Sequence, residues 1–308
     1  MTLQTGACRV YIERVRERQG ERMKDIAYYN GRLSPIEDMM VPMNDRACYF
    51  GDGVYDATGV LNHVPLALDE HIDRLYDSAR QVEIRVSMEK QELRRILMNM
   101  VSLVDDPAQI LYMQITRGVG MRNHLYRYAG EKASVWAFAA PHAFTDVYDS
   151  YRVITREDTR FFHCQIKTIN LLPSVMAAQA AEEQGCAECI FHRQGRVTEC
   201  AHSNVHILKA GTLITAPLDN LILPGITRKH ILAHCRILGI PVEERPYTLQ
   251  ELMGADEVFF SSSSAFTCRV REVDGIPVGM KDGATFGRIR DAYQEEVRRE
   301  AGPDALRT

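Results

Sequence analysis

Lys167 and Glu199 are the pair of residues with the most chemistry to offer. Lys167 lies in CQIKTINLLPS (Cys164–Ser174) with apolar residues on both sides, and Glu199 follows in RVTECAHSNV. A lysine is costly to bury while charged, so an apolar setting favours the neutral, nucleophilic amine. On that reading Lys167 forms a Schiff base with a carbonyl cofactor, and Glu199 is the carboxylate facing that cofactor's ring nitrogen. The alternative is a lysine that snorkels from a strand edge to water, and lysine is seldom buried without a partner. Its companions along the chain decide the matter.

Five other stretches could bind something. Tyr55 opens an extended run just after the glycine turn Gly51-Asp52-Gly53, where its hydroxyl could meet a ligand or half-bury in a core. Arg74 sits at the edge of an apolar helical stripe, facing water or reaching inward to a phosphate, which its planar fork suits. Arg122 and His124 are two apart, so in extended chain both point one way and make a carboxylate trap. With Arg117 and Arg127 close by, a mobile basic loop is the other reading. Gly225-Ile226-Thr227 stands where a helix begins, so its backbone N–H groups and the helix dipole form a phosphate seat, or Thr227 is an ordinary N-cap. Ser261–Ser264 follows an apolar strand and could line an anion site with hydroxyls and turn N–H groups, or be a polar loop.

The elements that must position these residues follow from period and turn signals. Residues 25–33 alternate around Asn30-Gly31, a hairpin. Val54–Val60 is a strand with Tyr55, Ala57 and Gly59 on one face. Asp69–Glu83 is an amphipathic helix with Asp69 as N-cap, and Met88–Val104 is a second helix. Gln109–Thr116 and Val135–Ala140 are strands. Pro141–Ser150 is polar and marks a boundary, giving residues 23–142 as a small domain, 143–150 as a linker and 151–308 as a larger domain. There, Tyr151–Thr155 is a strand and Ser174–Gln184 a helix stopped by Gly185. Short strands follow at Glu188–His192, Val197–Glu199, Ser203–Leu208 and Thr212–Ala216. Arg228–Leu238 is a helix, Val258–Phe260 a strand, 271–278 a hairpin and Phe286–Arg299 the last helix. Residues 1–22, rich in arginine and glutamate, are an extension, or Met23 is the true start.

Composition narrows the class. The 308 residues are 45% hydrophobic, enough for a large core. With 37 basic and 41 acidic residues the net charge is −4, which argues against non-specific nucleic-acid binding. No apolar run is long enough for a membrane span, and the N-terminus lacks a secretory pattern, so a cytoplasmic protein is expected. The eight cysteines are scattered, as reduced thiols would be. Cys186 and Cys189 have no second pair, and His202 and His206 lie in turn and strand, so no metal site is expected.

In order along the chain come FGDGVYD (Phe50–Asp56), EHIDRL (Glu70–Leu75), TRG with RNH (Thr116–Gly118, Arg122–His124), IKTINLL (Ile166–Leu172), TE with SNV (Thr198–Glu199, Ser203–Val205) and LPGITR (Leu223–Arg228). Six motifs in this order resemble the D-amino-acid aminotransferases, pyridoxal-phosphate enzymes of fold type IV. That group also holds branched-chain aminotransferases and aminodeoxychorismate lyase. The resemblance covers roughly residues 25–295. It implies an α+β chain, with a smaller N-terminal domain, a larger C-terminal pseudo-barrel and the cofactor in the cleft between. It implies that Lys167 carries pyridoxal 5'-phosphate and moves the proton at the substrate's alpha carbon. Glu199 would keep the pyridine nitrogen protonated, and Leu223 would pack on the ring. Arg74, Ile226, Thr227, Ser262 and Ser263 would bind the phosphate. Tyr55, Arg122 and His124 would grip the substrate carboxylate, the last two from the neighbouring subunit of a homodimer. The substrates implied are a D-amino acid such as D-alanine and a 2-oxo acid such as 2-oxoglutarate or pyruvate.

FGDGVYD and the Arg122–His124 pair look like the D-amino-acid branch, whereas branched-chain relatives carry an FEG-like turn. The lyase shares FGDG but usually follows it with Phe, and its chemistry eliminates pyruvate. A lyase, an L-specific aminotransferase and a non-catalytic cofactor-binding protein remain the alternatives. Where the close relatives tend to have Gly and serines after the glutamate, this sequence has Cys200, Ala201 and His202. That difference bears on substrate range.

Overall fold

The computed structural model describes residues 23–305. The expected extension over residues 1–22 lies outside them. The chain divides into two compact units. One runs up to Ala143 and also takes Lys167–Ile169; the other holds Phe144–Ile166 and the rest from Asn170.

The first unit is a six-stranded antiparallel sheet backed by two helices. Its strands are β1 (Ile26–Tyr29), β2 (Arg32–Ser34), β3 (Gly53–Leu61), β4 (Val64–Pro65), β5 (Gln109–Thr116) and β6 (Ser134–Pro141), in the order β2-β1-β6-β5-β3-β4. The β1–β2 hairpin turns at Asn30 and Gly31, both at positive φ, as the Asn-Gly signal requires. A short helix, α1 (Arg46–Phe50), precedes β3 and ends on Gly51 in the left-handed conformation. Helices α2 (Leu68–Gln81) and α3 (Lys90–Leu103) bury Ile72, Leu75, Ala79, Leu93, Leu97 and Met100. The N-cap of α2 is Ala67, without a side-chain cap, and not Asp69, which lies in the first turn. On β3 the face with Tyr55 and Ala57 is half-covered, while Asp56 and Thr58 are fully buried on the other. A buried aspartate needs partners, and it has them, as the site shows.

The second unit is a nine-stranded, curled half-barrel sheet. Its strands are β7 (Ser150–Glu157), β8 (Glu188–Arg193), β9 (Arg196–Cys200), β10 (Asn204–Lys209), β11 (Thr212–Thr215), β12 (Val242–Glu244), β13 (Glu257–Ser262), β14 (Phe266–Val273) and β15 (Ile276–Pro277). They run in the order β12-β11-β10-β13-β14-β7-β8-β9, with β15 on β14. Helix α4 (Leu172–Glu182) packs Ala177, Ala180 and Ala181 against Cys189 and Phe191 of β8. Helices α5 (Ile226–Ile237) and α7 (Gly283–Ala301) share a core of Ile231, Leu232, Cys235, Phe259, Phe286 and Ile289, and the short α6 (Leu249–Met253) carries a capping box on Thr248.

Strands β7 and β8 are parallel. A parallel pair needs a long crossover, and here the crossover holds both the Lys167 segment and α4. No helix among the described residues is long and apolar enough to cross a membrane.

Candidate active site

In the first unit, the start of β3 is built for close approach. A Cβ on Gly53 would lie 2.9 Å from the Ile115 carbonyl, so only glycine fits there. The Lys167 segment lies along this strand as a short extra rung. Tyr55 N–H donates to the Lys167 carbonyl (2.9 Å), Ile169 N–H donates to Gly53 (3.2 Å), and Val54 pairs with Thr168. Lys167 N–H also donates to Ser78 Oγ (3.3 Å). The backbone of Lys167 is therefore held at both ends, while its side chain is half-buried and its Nζ sits 4.4 Å from the centre of the Tyr55 ring. Tyr55 itself stacks on Tyr112 at 5.4 Å.

Beneath Tyr55, Asp56 gathers the arginine that sequence placed at the stripe's edge. Arg74 donates through Nε to one Asp56 oxygen and through Nη2 to the other, each at 2.8 Å, and His71 Nδ1 lies 2.7 Å from the carboxylate. Burial pushes the Asp56 carboxyl up, but Arg74 and His71 outweigh it and hold it well below the usual carboxylate range. Burial pushes His71 down. A neutral imidazole beside an ionised carboxylate must carry its proton on Nδ1. Arg74 thus reaches inward, with its guanidinium plane fixed by two parallel bonds.

Arg122 and His124 do not lie in extended chain, because residues 121–125 are irregular. They still converge. The Arg122 guanidinium lies 5.5 Å from the centre of the Phe50 ring and the His124 ring 5.0 Å from it. Both are exposed, and the loop also exposes Met121, Leu125, Tyr126 and Tyr128. Tyr55 and this pair therefore belong to two different ring clusters.

In the second unit, Glu199, next to last in β9, is a buried carboxylate supplied with three donors. Arg160 Nη1 donates to Oε1 (2.5 Å), and Asn204 Nδ2 (3.0 Å) and Leu223 N–H (2.9 Å) donate to Oε2. Arg160 is in turn held by Asp158 through Nε (3.0 Å) and Nη2 (2.9 Å). Burial works against the charge of Arg160, but Glu199 and Asp158 overcome it and raise its pKa. Asn204 Nδ2 also donates to the Leu223 carbonyl (3.1 Å), so Leu223 is anchored at both its N–H and its C=O. A Cβ on Gly225 would meet Asn204 Oδ1 at 2.0 Å, which reserves that position for glycine.

Gly225, not Thr227, is the N-cap of α5, and it offers no side-chain cap. The first N–H groups of this helix, those of Ile226 and Thr227 included, thus receive no cap from the N-cap side chain and form the positive end of the dipole. Thr227 is buried, its Oγ1 3.3 Å from the Tyr293 hydroxyl. In the serine turn, Ser262 Oγ accepts from Ala265 N–H (3.0 Å) and lies 3.4 Å from Ser264 Oγ, with Ser263 half-buried beside them. His206 is a core residue bridging Thr215 (3.0 Å) and Ser261 (2.9 Å), and burial pushes it down to about 3. His202 lies apart from it, its Nδ1 2.8 Å from a Glu188 oxygen.

The family profile for amino-transferase class IV matches residues 53–273, more than half of the sequence. The chain belongs to the class IV aminotransferases. The match takes in every candidate residue from Tyr55 to Ser263. This class IV chain is 38% identical to a D-alanine aminotransferase of Listeria monocytogenes serotype 1/2a over 278 residues, 89% of this chain and 96% of that one. It is 37% identical to the D-alanine aminotransferase of Bacillus licheniformis over 87% of its length and 96% of that relative's. Among solved structures it is similar to a branched-chain aminotransferase of Thermoproteus uzoniensis, with TM-score 0.80, 26% identity and coverage of 89% and 95% of the two chains. A branched-chain amino acid aminotransferase of Escherichia coli gives TM-score 0.78 at 27% identity, with 91% and 95% covered. The fold type IV expectation holds, down to the half-barrel.

Sequence reasoning missed Asp56, His71, Arg160 and Asn204. Asn204 was visible in SNV, and Asp56 in FGDGVYD, but nothing in the spacing of Arg160 marks it.

Proposed function

We infer that this class IV aminotransferase transfers the amino group of a D-amino acid, D-alanine foremost, to a 2-oxo acid with pyridoxal 5'-phosphate as cofactor. The observation that carries the reading is the likeness to D-alanine aminotransferases across nearly their whole length. Bound pyridoxal phosphate supplies an aldehyde that takes up the amino group and a ring that draws electrons from the reacting carbon.

The donor set suits that group. Glu199 is an acceptor with its other contacts already filled, complementary to a protonated ring nitrogen, and we assign it the role of holding that proton. Lys167 tethers the cofactor and moves the proton at the substrate's alpha carbon. The backbone bond from Tyr55 to its carbonyl, together with the Ser78 bond, supports this role because the two leave only the side chain to move. The N–H groups at the start of α5, the Thr227 hydroxyl, Arg74, Ser262 and Ser263 hold the phosphate. Leu223 packs on the ring, which its two backbone anchors favour. Tyr55, Arg122 and His124 hold the substrate carboxylate.

We read the enzyme as a homodimer in which Arg122 and His124 serve the partner's site. The exposed apolar side chains around that pair support this, since such a patch marks an interaction surface. We place it in the cytoplasm, where its described cysteines, all free, would stay reduced.

The test is borohydride reduction of the yellow holoenzyme, followed by peptide mapping, beside assays with both alanine enantiomers and 2-oxoglutarate. Cofactor mass on the Lys167 peptide and glutamate formation from D-alanine are expected. Label elsewhere, or turnover by Lys167→Ala, refutes the lysine's role. Turnover of L-amino acids alone would favour the branched-chain reading, and pyruvate release without glutamate would favour a lyase.

A further inference from the structure

We propose that Arg46 is a positioning residue whose buried guanidinium sets the Arg122–His124 loop in the shape that binds a substrate carboxylate. The proposal rests on the reading of that pair given above. Arg46 opens α1 and is 2% exposed. Its Nε donates to Asp52 Oδ2 at 2.8 Å, and its two terminal nitrogens turn the other way, Nη1 donating to the Asn123 carbonyl and Nη2 to the His124 carbonyl. One planar fork therefore engages two consecutive carbonyls, the His124 one at 3.4 Å, and with them the peptide planes on both sides of His124.

Phe50 completes the arrangement. Its ring takes the Arg46 guanidinium at 4.9 Å, Arg122 at 5.5 Å and the His124 ring at 5.0 Å. The base of the assembly is rigid. Asp52 also accepts from Arg117 Nε (3.0 and 2.9 Å), and Arg117 donates to the carbonyls of Glu83 and Val82. Backbone bonds from Arg46 to Gly118 and from Gly120 to Asn44, each 3.0 Å, fasten the root of the loop. Beyond that root, Arg122 and His124 are exposed, and a loop with exposed side chains keeps one shape only if something buried holds it. Arg46 is that hold. A guanidinium that only balanced Asp52 would not need to spend both terminal nitrogens on the loop.

Lysine at this position keeps a charge beside Asp52 but cannot span both carbonyls, so Arg46→Lys separates the two roles. It is compared with Arg122→Ala in steady-state kinetics with D-alanine, with turnover of an amine lacking a carboxylate, and by hydrogen exchange of the 119–128 peptide. We expect the D-alanine KM of Arg46→Lys to rise about tenfold, with kcat within about twofold and the amine unaffected. Exchange in the loop should quicken. If Arg122→Ala raises KM and Arg46→Lys leaves it unchanged, Arg46 has no such role while the function stands. If neither moves KM, the reading of the Arg122–His124 pair fails and the proposal with it. Should Arg46→Lys not fold, Phe50→Leu keeps the ion pairs and removes the ring. A raised KM is expected there too, and an unchanged one overturns the proposal.

Discussion

Glu199→Gln separates a carboxylate that serves a cofactor from one that merely balances Arg160. The substitution keeps the shape and removes the charge. Two donors meet at Oε2, from Asn204 and Leu223, and one meets Oε1, from Arg160. The glutamine oxygen is best placed against the two donors, which sets its NH2 against the Arg160 guanidinium. Arg160 retains its bonds to Asp158 and to the Leu221 carbonyl. The net structural loss is thus one charge-assisted hydrogen bond, about 1.5–3 kcal/mol, barely screened because the Glu199 side chain is only 7% exposed. At about 2–4 °C per kcal/mol for a body of 150–250 residues, that lowers Tm by roughly 3–12 °C. The functional loss is separate: without a carboxylate to stabilise the ring proton, kcat should fall by about 100–1,000-fold, the usual cost of one electrostatic stabiliser. Tm by calorimetry and kcat with D-alanine and 2-oxoglutarate are the assay. A lowered Tm with kcat held within about threefold would show that Glu199 is only the counter-ion of Arg160, and the cofactor reading of this residue would be refuted.

Two further outcomes are expected. Glu296 of α7 takes His230 Nδ1 at 2.6 Å on one oxygen and His234 Nε2 of the same α5 helix on the other. The hydrogen bond from His230, and with it that from His234, holds its carboxyl down to about 2 from an ordinary 4.5. A depressed carboxylate stabilises the fold above its unfolded pKa and loses that contribution as pH falls. Glu296→Gln should therefore lower Tm at neutral pH, and the gap should close between about pH 4.5 and 2; a gap independent of pH in calorimetric scans would contradict the clamp. For the shared site, Lys167→Ala and Arg122→Ala subunits are each expected to be nearly inactive at low D-alanine. Unfolded together and refolded, they should recover up to about a quarter of wild-type activity, because each mixed dimer regains one intact site. No recovery, with mixed dimers shown by mass spectrometry, would place Arg122 in its own subunit's site.

The regular elements were legible because their periods are strong. Gln109–Thr116 was read to the residue, and α2 and α5 to within two residues at each end, since an amphipathic stripe or an apolar run bounded by turns leaves little choice. Caps were less legible. Asp69 and Thr227 are good N-cap types, yet Ala67 and Gly225 hold those places, because a left-handed residue and a close approach by Asn204 decide the local backbone. The motifs marked which residues matter, but not what holds them. Asp56 stands in FGDGVYD, but nothing local shows that the fold brings Arg74 and His71, fifteen or more positions away, onto it. The return of Lys167–Ile169 to β3 is a long-range pairing with no local signal at all.

The departure after Glu199 changes meaning once its side chains are placed. Cys200 is 1% exposed and packs with Ile190, Val197 and Val205, and burial pushes its thiol well above the ordinary value. Ala201 packs with Ile154, Ala177 and Phe191. Two of the three residues are therefore core side chains. Beneath them lies Glu188, fully buried, which accepts from Cys189 N–H (2.8 Å), Ala201 N–H (3.2 Å) and Ser203 Oγ (2.8 Å). Its remaining partner is His202 Nδ1 at 2.8 Å, on a side chain 57% exposed. One carboxylate thus stitches the whole turn that separates Glu199 from Asn204, the residue that orients it. Glu199 owes its direction to Asn204 and to that turn, so the backbone of residues 200–203 matters more to the site than their side chains do. His202 is the one of the three whose side chain reaches solvent.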